Sequence, residues 1–217
     1  MLLAAGCGVV GLVVGWVVHL RIERIPGCET RPVWQAPATT IATAGLFAAA
    51  ALRFGFDVHL PVYLMLFTSL VAVSVIDIRA YRIPNRIVFA TLAVTAPMIV
   101  AVSLLDGPAE TLGYAAGGAV LFFVMLLIPH LINPKGMGFG DVKLAFLMGL
   151  HLGWLADDFP AVISLVFTAI VAGSVLGIVV GLVFRVVRRG GAPFPFGPAL
   201  ATGAAVVILA SEVLLRS

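Results

Sequence analysis

Two aspartates stand where long apolar runs meet charged, broken stretches. Asp77 opens Asp77-Ile-Arg-Ala-Tyr-Arg-Ile-Pro84-Asn85, and Asp141 lies in Asn133-Pro-Lys-Gly136-Met-Gly138-Phe-Gly140-Asp141-Val-Lys143. A carboxylate beside lipid is expensive, so its presence points to function and to a partner. Each aspartate supplies the other's partner: two carboxyl groups held close cannot both ionise comfortably, and the pair keeps one proton between them. In that state one carboxylate takes a proton from water while the protonated one polarises a scissile carbonyl, and the titration belongs to the pair. That chemistry is the hydrolysis of a peptide bond without a nucleophilic side chain.

The residues around the aspartates suit such a site. Gly138 and Gly140 permit close backbone approach and unusual dihedrals, so an unwound substrate strand can lie beside Asp141. Lys143 has two readings, a pair with a carboxylate or a contact with anionic lipid, and the second is the more ordinary for a basic residue at a membrane surface. The plain alternative for both aspartates is a structural one, in which they cap helices or balance Arg79, Arg82 and Lys143. A catalytic triad is poorly supported, because no serine or cysteine sits in an obvious nucleophile turn. His59 and His151 fall on the side opposite the aspartates, and His19 and His130 read as interfacial residues at helix ends.

The elements that must position this pair follow from composition. Of 217 residues, 62% are hydrophobic and 11% charged, and the apolar residues come in long blocks. A bilayer crossing takes ~20 apolar residues as a helix, and backbone polar groups in lipid must be satisfied internally. The expected fold is therefore all-α and integral to a membrane, a polytopic bundle of about eight transmembrane helices. The runs are 2–20, 37–52, 60–76, 87–105, 112–131, 142–155, 161–187 and 198–215. With the N-terminus outside and the helices alternating, both aspartates reach the cytoplasmic side, Asp77 ending the third helix and Asp141 beginning the sixth.

The charges fit that orientation. Of the thirteen basic residues, all but Arg53 and Arg216 fall on the cytoplasmic side, among them Arg31, Arg79, Arg82, Lys135, Lys143 and Arg189, a strong positive-inside asymmetry. The net charge of +3 thus reports membrane orientation and not nucleic-acid binding. Loops around Asp106 to Glu110 and around Asp157 form short external turns, whose carboxylates are expected to be solvated. The longest polar stretch, 21–36, is too short to bury a core of its own and reads as a cytoplasmic loop. A third broken stretch, Gly190-Gly-Ala-Pro193-Phe-Pro195-Phe-Gly197-Pro198-Ala199-Leu200, is expected to be re-entrant or unwound, facing protein or a wet cavity.

The first apolar run lacks a basic n-region and is followed by equally apolar runs, so it is expected to be a permanent helix and not a cleaved signal. Cys7 and Cys28 are too few for a disulfide framework or a cysteine zinc site, and no metal or other cofactor is expected.

Gly138-Phe-Gly-Asp141 with Lys143 matches the GxGD pattern of intramembrane aspartic proteases. Together with Asp77 followed by Ile83-Pro84-Asn85, and with Pro195-Phe196-Gly197-Pro198 before the last helix, the sequence resembles the bacterial type IV prepilin peptidases over essentially the whole chain. The resemblance implies that Asp77 and Asp141 are catalytic. It adds Pro84, Asn85 and Pro198 to Gly138, Gly140 and Lys143 as expected substrate-positioning residues. It also implies cleavage of a short basic leader from pilin-like precursors, just before their hydrophobic helix, at the cytoplasmic face of a bacterial inner membrane. The expected partners are those precursors and membrane lipid. Pro198-Ala199-Leu200 is similar to the PAL element of presenilin-type proteases, which would set that segment near substrate.

Gly15-Trp-Val-Val-His19-Leu-Arg-Ile-Glu-Arg24-Ile-Pro26 is similar to the family's GSFLNVVIYRLP stretch, with Trp16 where the family has serine and His19 where it has asparagine. The following loop lacks the paired CxxC motifs that bind zinc in many members, and only Cys28 remains. In larger bifunctional members that region is linked to methylating the new N-terminus with S-adenosylmethionine. The chain therefore resembles a reduced form, with peptidase activity expected and methyltransferase activity not. On this reading residues 1–36 are a remnant of the family's N-terminal region and 37–217 the peptidase domain. The rival reading is a small ion- or proton-coupled transporter using the same two aspartates as ligands in discontinuous helices; a silent membrane scaffold would leave the pair without a reason.

Overall fold

The computed structural model describes residues 1–28, 34–105, 107–134, 136–188 and 195–216. The expectations placed on Arg31, Asp106, Lys135, Arg189 and residues 190–194 lie outside them. Within them the chain forms eight helices and no strand: α1 (Leu2–Ile22), α2 (Gln35–Phe54), α3 (His59–Ala80), α4 (Asn85–Leu105), α5 (Glu110–Ile132), α6 (Phe139–Trp154), α7 (Phe159–Arg188) and α8 (Gly197–Arg216). Seven of them cover one expected apolar run and extend it by a few residues, while α6 starts three residues before its run and ends one short of it.

Seven of the helices are long and apolar enough to cross a membrane, and the protein is a multi-pass membrane protein. The exception is α6. Its 16 residues rise only about 24 Å at 1.5 Å each, less than the ~30 Å hydrocarbon thickness.

Lipid tails are as apolar as leucine, so helices associate through close packing of small residues and not through hydrophobic exclusion. Here they pair as three hairpins, α1 with α2, α5 with α6, and α7 with α8. The α5–α6 contact is backbone on backbone. A Cβ on Gly118 would lie 2.4 Å from the Gly149 carbonyl oxygen, and a Cβ on Gly149 would lie 2.3 Å from that of Gly118. Gly11 against Ala44 and Gly203 against Gly173 serve the other two hairpins in the same way.

Helix α3 is the hub, touching α1, α2, α4 and α8. Buried residues fill 67% of its membrane window against 22% for α4, so α3 is a core helix and α4 faces outward. Tyr63, Leu66, Phe67 and Leu70 enter the main core, while Val71, Val75 and Ile76 pack with Ile22 and Cys28. Hydroxyls of Thr39, Thr43, Thr68 and Ser74 donate to the carbonyl one turn earlier, which satisfies them without a second helix.

The end of the bundle away from Asp77 is tied by side chains. Tyr63 donates to the His151 carbonyl at 2.8 Å, Trp154 Nε1 donates to Ser103 at 2.9 Å, and Arg53 pairs with Glu212 at 2.9 Å. His151 is fully buried in this cluster. His19, at the end of α1, is buried, and its Nε2 pairs with Glu23 one turn on at 2.9 Å. The Asp57 and Asp158 carboxylates also do more than face solvent, since they accept the backbone N–H groups of His59 and Ala161 at the starts of α3 and α7.

Candidate active site

Asp77 lies in the last turn of α3. Its carbonyl accepts the Tyr81 N–H at 2.9 Å, and Tyr81 closes the helix in the left-handed conformation at φ 49°. That conformation is uncommon for a residue with a Cβ, and it turns the chain sharply into Ile83-Pro84-Asn85. Pro84 cannot extend a helix backwards; its carbonyl instead accepts the Ile87 N–H at 3.1 Å and starts α4.

Asp141 lies in the first turn of α6. Gly138 precedes it in an extended conformation, and its carbonyl accepts the Asp141 N–H at 3.1 Å. The glycine loop is braced from α5, where His130 Nδ1 donates to the Met137 carbonyl at 2.8 Å.

The third stretch meets the first. The Gly197 N–H, at the start of α8, donates to Asp77 Oδ2 at 3.0 Å. A Cβ on Gly197 would lie 2.8 Å from that oxygen, so glycine is what allows the approach. Ile83 packs between these parts: a Cβ on Gly140 would lie 2.8 Å from Ile83 Cβ, and one on Gly197 would lie 3.3 Å from its Cδ1.

The two aspartates, distant in the chain, are brought together. Asp77, Asp141, Gly138, Gly140, Asn85 and Lys143 line one cavity of about 280 Å³. Asp77 is 6% exposed and Asp141 7%, so both carboxyl groups are largely withdrawn from solvent yet open to the same space. Asp141 Oδ1 is buried without a hydrogen-bond partner in the protein. An unsatisfied buried polar atom costs about 1–3 kcal/mol, a cost that functional sites are the usual places to carry.

Pro84 and Pro198 do not line the cavity. Pro198 occupies the first turn of α8, where its missing N–H is harmless, and its carbonyl accepts the Thr202 hydroxyl at 2.7 Å.

The basic residues nearby are engaged elsewhere. Arg79 donates to Gln35 Oε1 at 2.6 Å and to the Cys28 carbonyl at 3.0 Å. Arg82 donates to the Pro26 carbonyl. Lys143 donates to Asn85 Oδ1 at 2.8 Å and lies over the Phe139 ring at 4.8 Å. Among the described residues Lys143 pairs with no carboxylate. It joins the start of α6 to the start of α4 across the mouth of the cavity. Charge balance by these three cations does not account for the aspartates.

Three contributors were not assigned roles from the sequence: the Gly197 amide, Ile83 and His130. Gly197 and Ile83 stand in the motifs that carry the resemblance, but nothing linear shows that an amide before the last helix aims at a carboxylate at the end of the third. His130 carried no signal beyond its place at a helix end.

Comparisons with known proteins bear on this arrangement. Residues 64–182 match the model of the type IV leader peptidase family, a stretch that contains Asp77 and Asp141. A Bacillus subtilis protein named prepilin leader peptidase/N-methyltransferase is 32% identical over 87% of the chain and 71% of its own length. Proteins of the same name from Pseudomonas putida and Burkholderia pseudomallei are 30% and 29% identical, over 89% and 83% of the chain. The chain spans 65% and 56% of those two relatives. No solved structure matches the chain.

Proposed function

The chain belongs to the type IV leader peptidase family, and from that premise we propose that it removes the short basic leader from pilin-like precursors, with Asp77 and Asp141 activating the attacking water. One observation carries the reading: carboxyl groups from the end of α3 and the start of α6 open onto the same small cavity, and one of their oxygens, Asp141 Oδ1, has no partner in the protein. The pair holds a single proton. The ionised carboxylate takes a proton from water as it attacks the scissile carbonyl, while the protonated one donates to the carbonyl oxygen. The Gly197 N–H fixes the Asp77 carboxyl plane, so the geometry is set before substrate arrives.

Placement of the aspartates at one end of their helices favours hydrolysis over ion carriage, for which ligands near mid-membrane are the norm. The asymmetry of basic residues supports that end being cytoplasmic, in a bacterial plasma membrane with the N-terminus outside. The relatives' names couple leader peptidase with N-methyltransferase; the peptidase is the activity proposed here.

The test is reconstitution of the purified protein in proteoliposomes with a pilin-like precursor, followed by mass measurement. Loss of the leader at a single bond before the apolar segment is expected. A precursor that stays intact, under conditions where a relative processes it, would contradict the proposal.

A further inference from the structure

Other residues of α3 line a second cavity. It is a groove of about 480 Å³ between α2, α3 and α8, on the outer surface of the bundle. Its α3 wall runs from Leu70 to Ile78, its α8 wall from Ala201 to Leu209, and its α2 wall from Gln35 to Leu46. At 1.5 Å per helical residue these walls are about 12–17 Å long.

We propose that this groove seats the first turns of the precursor's apolar helix, a deeper statement of the leader-peptidase reading on which it rests. Nearness to the aspartates along α3 and α8 is the first reason. Ile78 of the groove follows Asp77 in the chain, and Ala201 stands one turn beyond Gly197, whose N–H holds Asp77. A bond cut immediately before an apolar helix delivers that helix to whatever cleft opens next to the cut.

The lining is the second reason. Helices in lipid associate where small residues let backbones approach, and the groove presents Ala38, Ala42 and Gly45 on α2 opposite Ala201 and Ala205 on α8. A Cβ on Gly45 would meet no atom within 4 Å, so this glycine is not spent on packing within the chain. The groove's hydroxyls, Thr39, Ser74 and Thr202, each donate to their own helix one turn back. They leave no polar demand on an apolar guest. A helix ~10 Å across fits by one face, its other side remaining in lipid.

Photo-crosslinking tests this. A benzophenone side chain is placed at Val206 or Ile78, both exposed on the groove at 52% and 38%, and at Ile178, exposed at 63% on α7 away from it. The proteoliposomes carry a pilin-like precursor, and adducts are identified by mass. Adducts with the precursor's apolar segment from Val206 and Ile78, and not from Ile178, are expected. Equal yields from Ile178, adducts with lipid alone, or adducts with a second copy of the enzyme would overturn the proposal.

A second variant, Gly45→Leu, puts a bulky side chain into the groove at a position where its Cβ meets no atom within 4 Å. It is expected to raise KM for the precursor by about tenfold with kcat little changed, the signature of lost ground-state binding; an unchanged KM would overturn the proposal. The two readings fail separately. Leader removal without groove adducts overturns the docking surface alone, and groove adducts without leader removal support docking while contradicting the peptidase.

Discussion

The Gly197 N–H donates to Asp77 Oδ2 at 3.0 Å across 120 residues of chain, tying the start of the last helix to the carboxyl group that ends the third. The contact needs glycine, because a Cβ there would lie 2.8 Å from the same oxygen. Gly197→Ala therefore turns or displaces the Asp77 carboxyl group. A hydrogen bond to a charged group is worth about 1.5–3 kcal/mol, so kcat for leader removal should fall by roughly 10- to 100-fold. Expression and membrane insertion should hold. Steady-state kinetics on a reconstituted precursor checks this, and wild-type kcat in the variant would remove Gly197 from the mechanism.

Gly140 and Ile83 should behave as a coupled pair. A Cβ on Gly140 would lie 2.8 Å from Ile83 Cβ, and overpacking of this kind costs about 1–3 kcal/mol. Gly140→Ala is expected to lower kcat/KM by at least tenfold, since the loop that must give way also holds Asp141. Adding Ile83→Gly clears the space and should recover part of that loss. A double-mutant cycle with purely additive effects would show that the two positions do not touch.

Lys143 and Asn85 close one side of the cavity by a single hydrogen bond. Lys143→Met and Asn85→Ala should each reduce kcat/KM only a few-fold, because a part-exposed contact is worth ~1 kcal/mol or less. The double variant should be no worse than either single one. Independent, multiplying losses would mean that each residue contacts substrate separately.

The hairpin that delivers Asp141 should be sensitive to a single methyl group. On Gly149 it would lie 2.3 Å from a backbone oxygen of α5, whereas on Gly113 it would meet nothing within 4 Å. Gly149→Ala is expected to lower thermal stability in detergent by about 1–3 kcal/mol and to reduce activity with it. Gly113→Ala should raise stability by up to ~1 kcal/mol through helix propensity. Melting curves followed by circular dichroism distinguish the two.

Much of this architecture is legible in the sequence because lipid enforces it. Unbroken apolar runs located all eight helices to within a few residues, and simple alternation put Asp77 and Asp141 at the same end of the bundle. Their convergence on one cavity followed. The contacts made by side chains across the fold were not legible. Nothing linear shows that Lys143 reaches Asn85 at the cavity, or that α1 seats so as to bury His19. Gly11 with Gly15, and Gly149 with Gly153, carried a four-residue spacing suited to close helix contact, yet spacing does not name the partner helix. The groove between α2, α3 and α8 needed three helices placed together before it existed at all.

The central claim is that Asp77 and Asp141 act as one proton-sharing unit. Asparagine keeps the size and polarity of aspartate and removes that capacity. Precursor cleavage should therefore be compared for wild type, Asp77→Asn and Asp141→Asn at matched levels in proteoliposomes. Loss of detectable leader removal in both variants, each still folded and inserted, is the predicted result; normal processing by either variant would contradict the account.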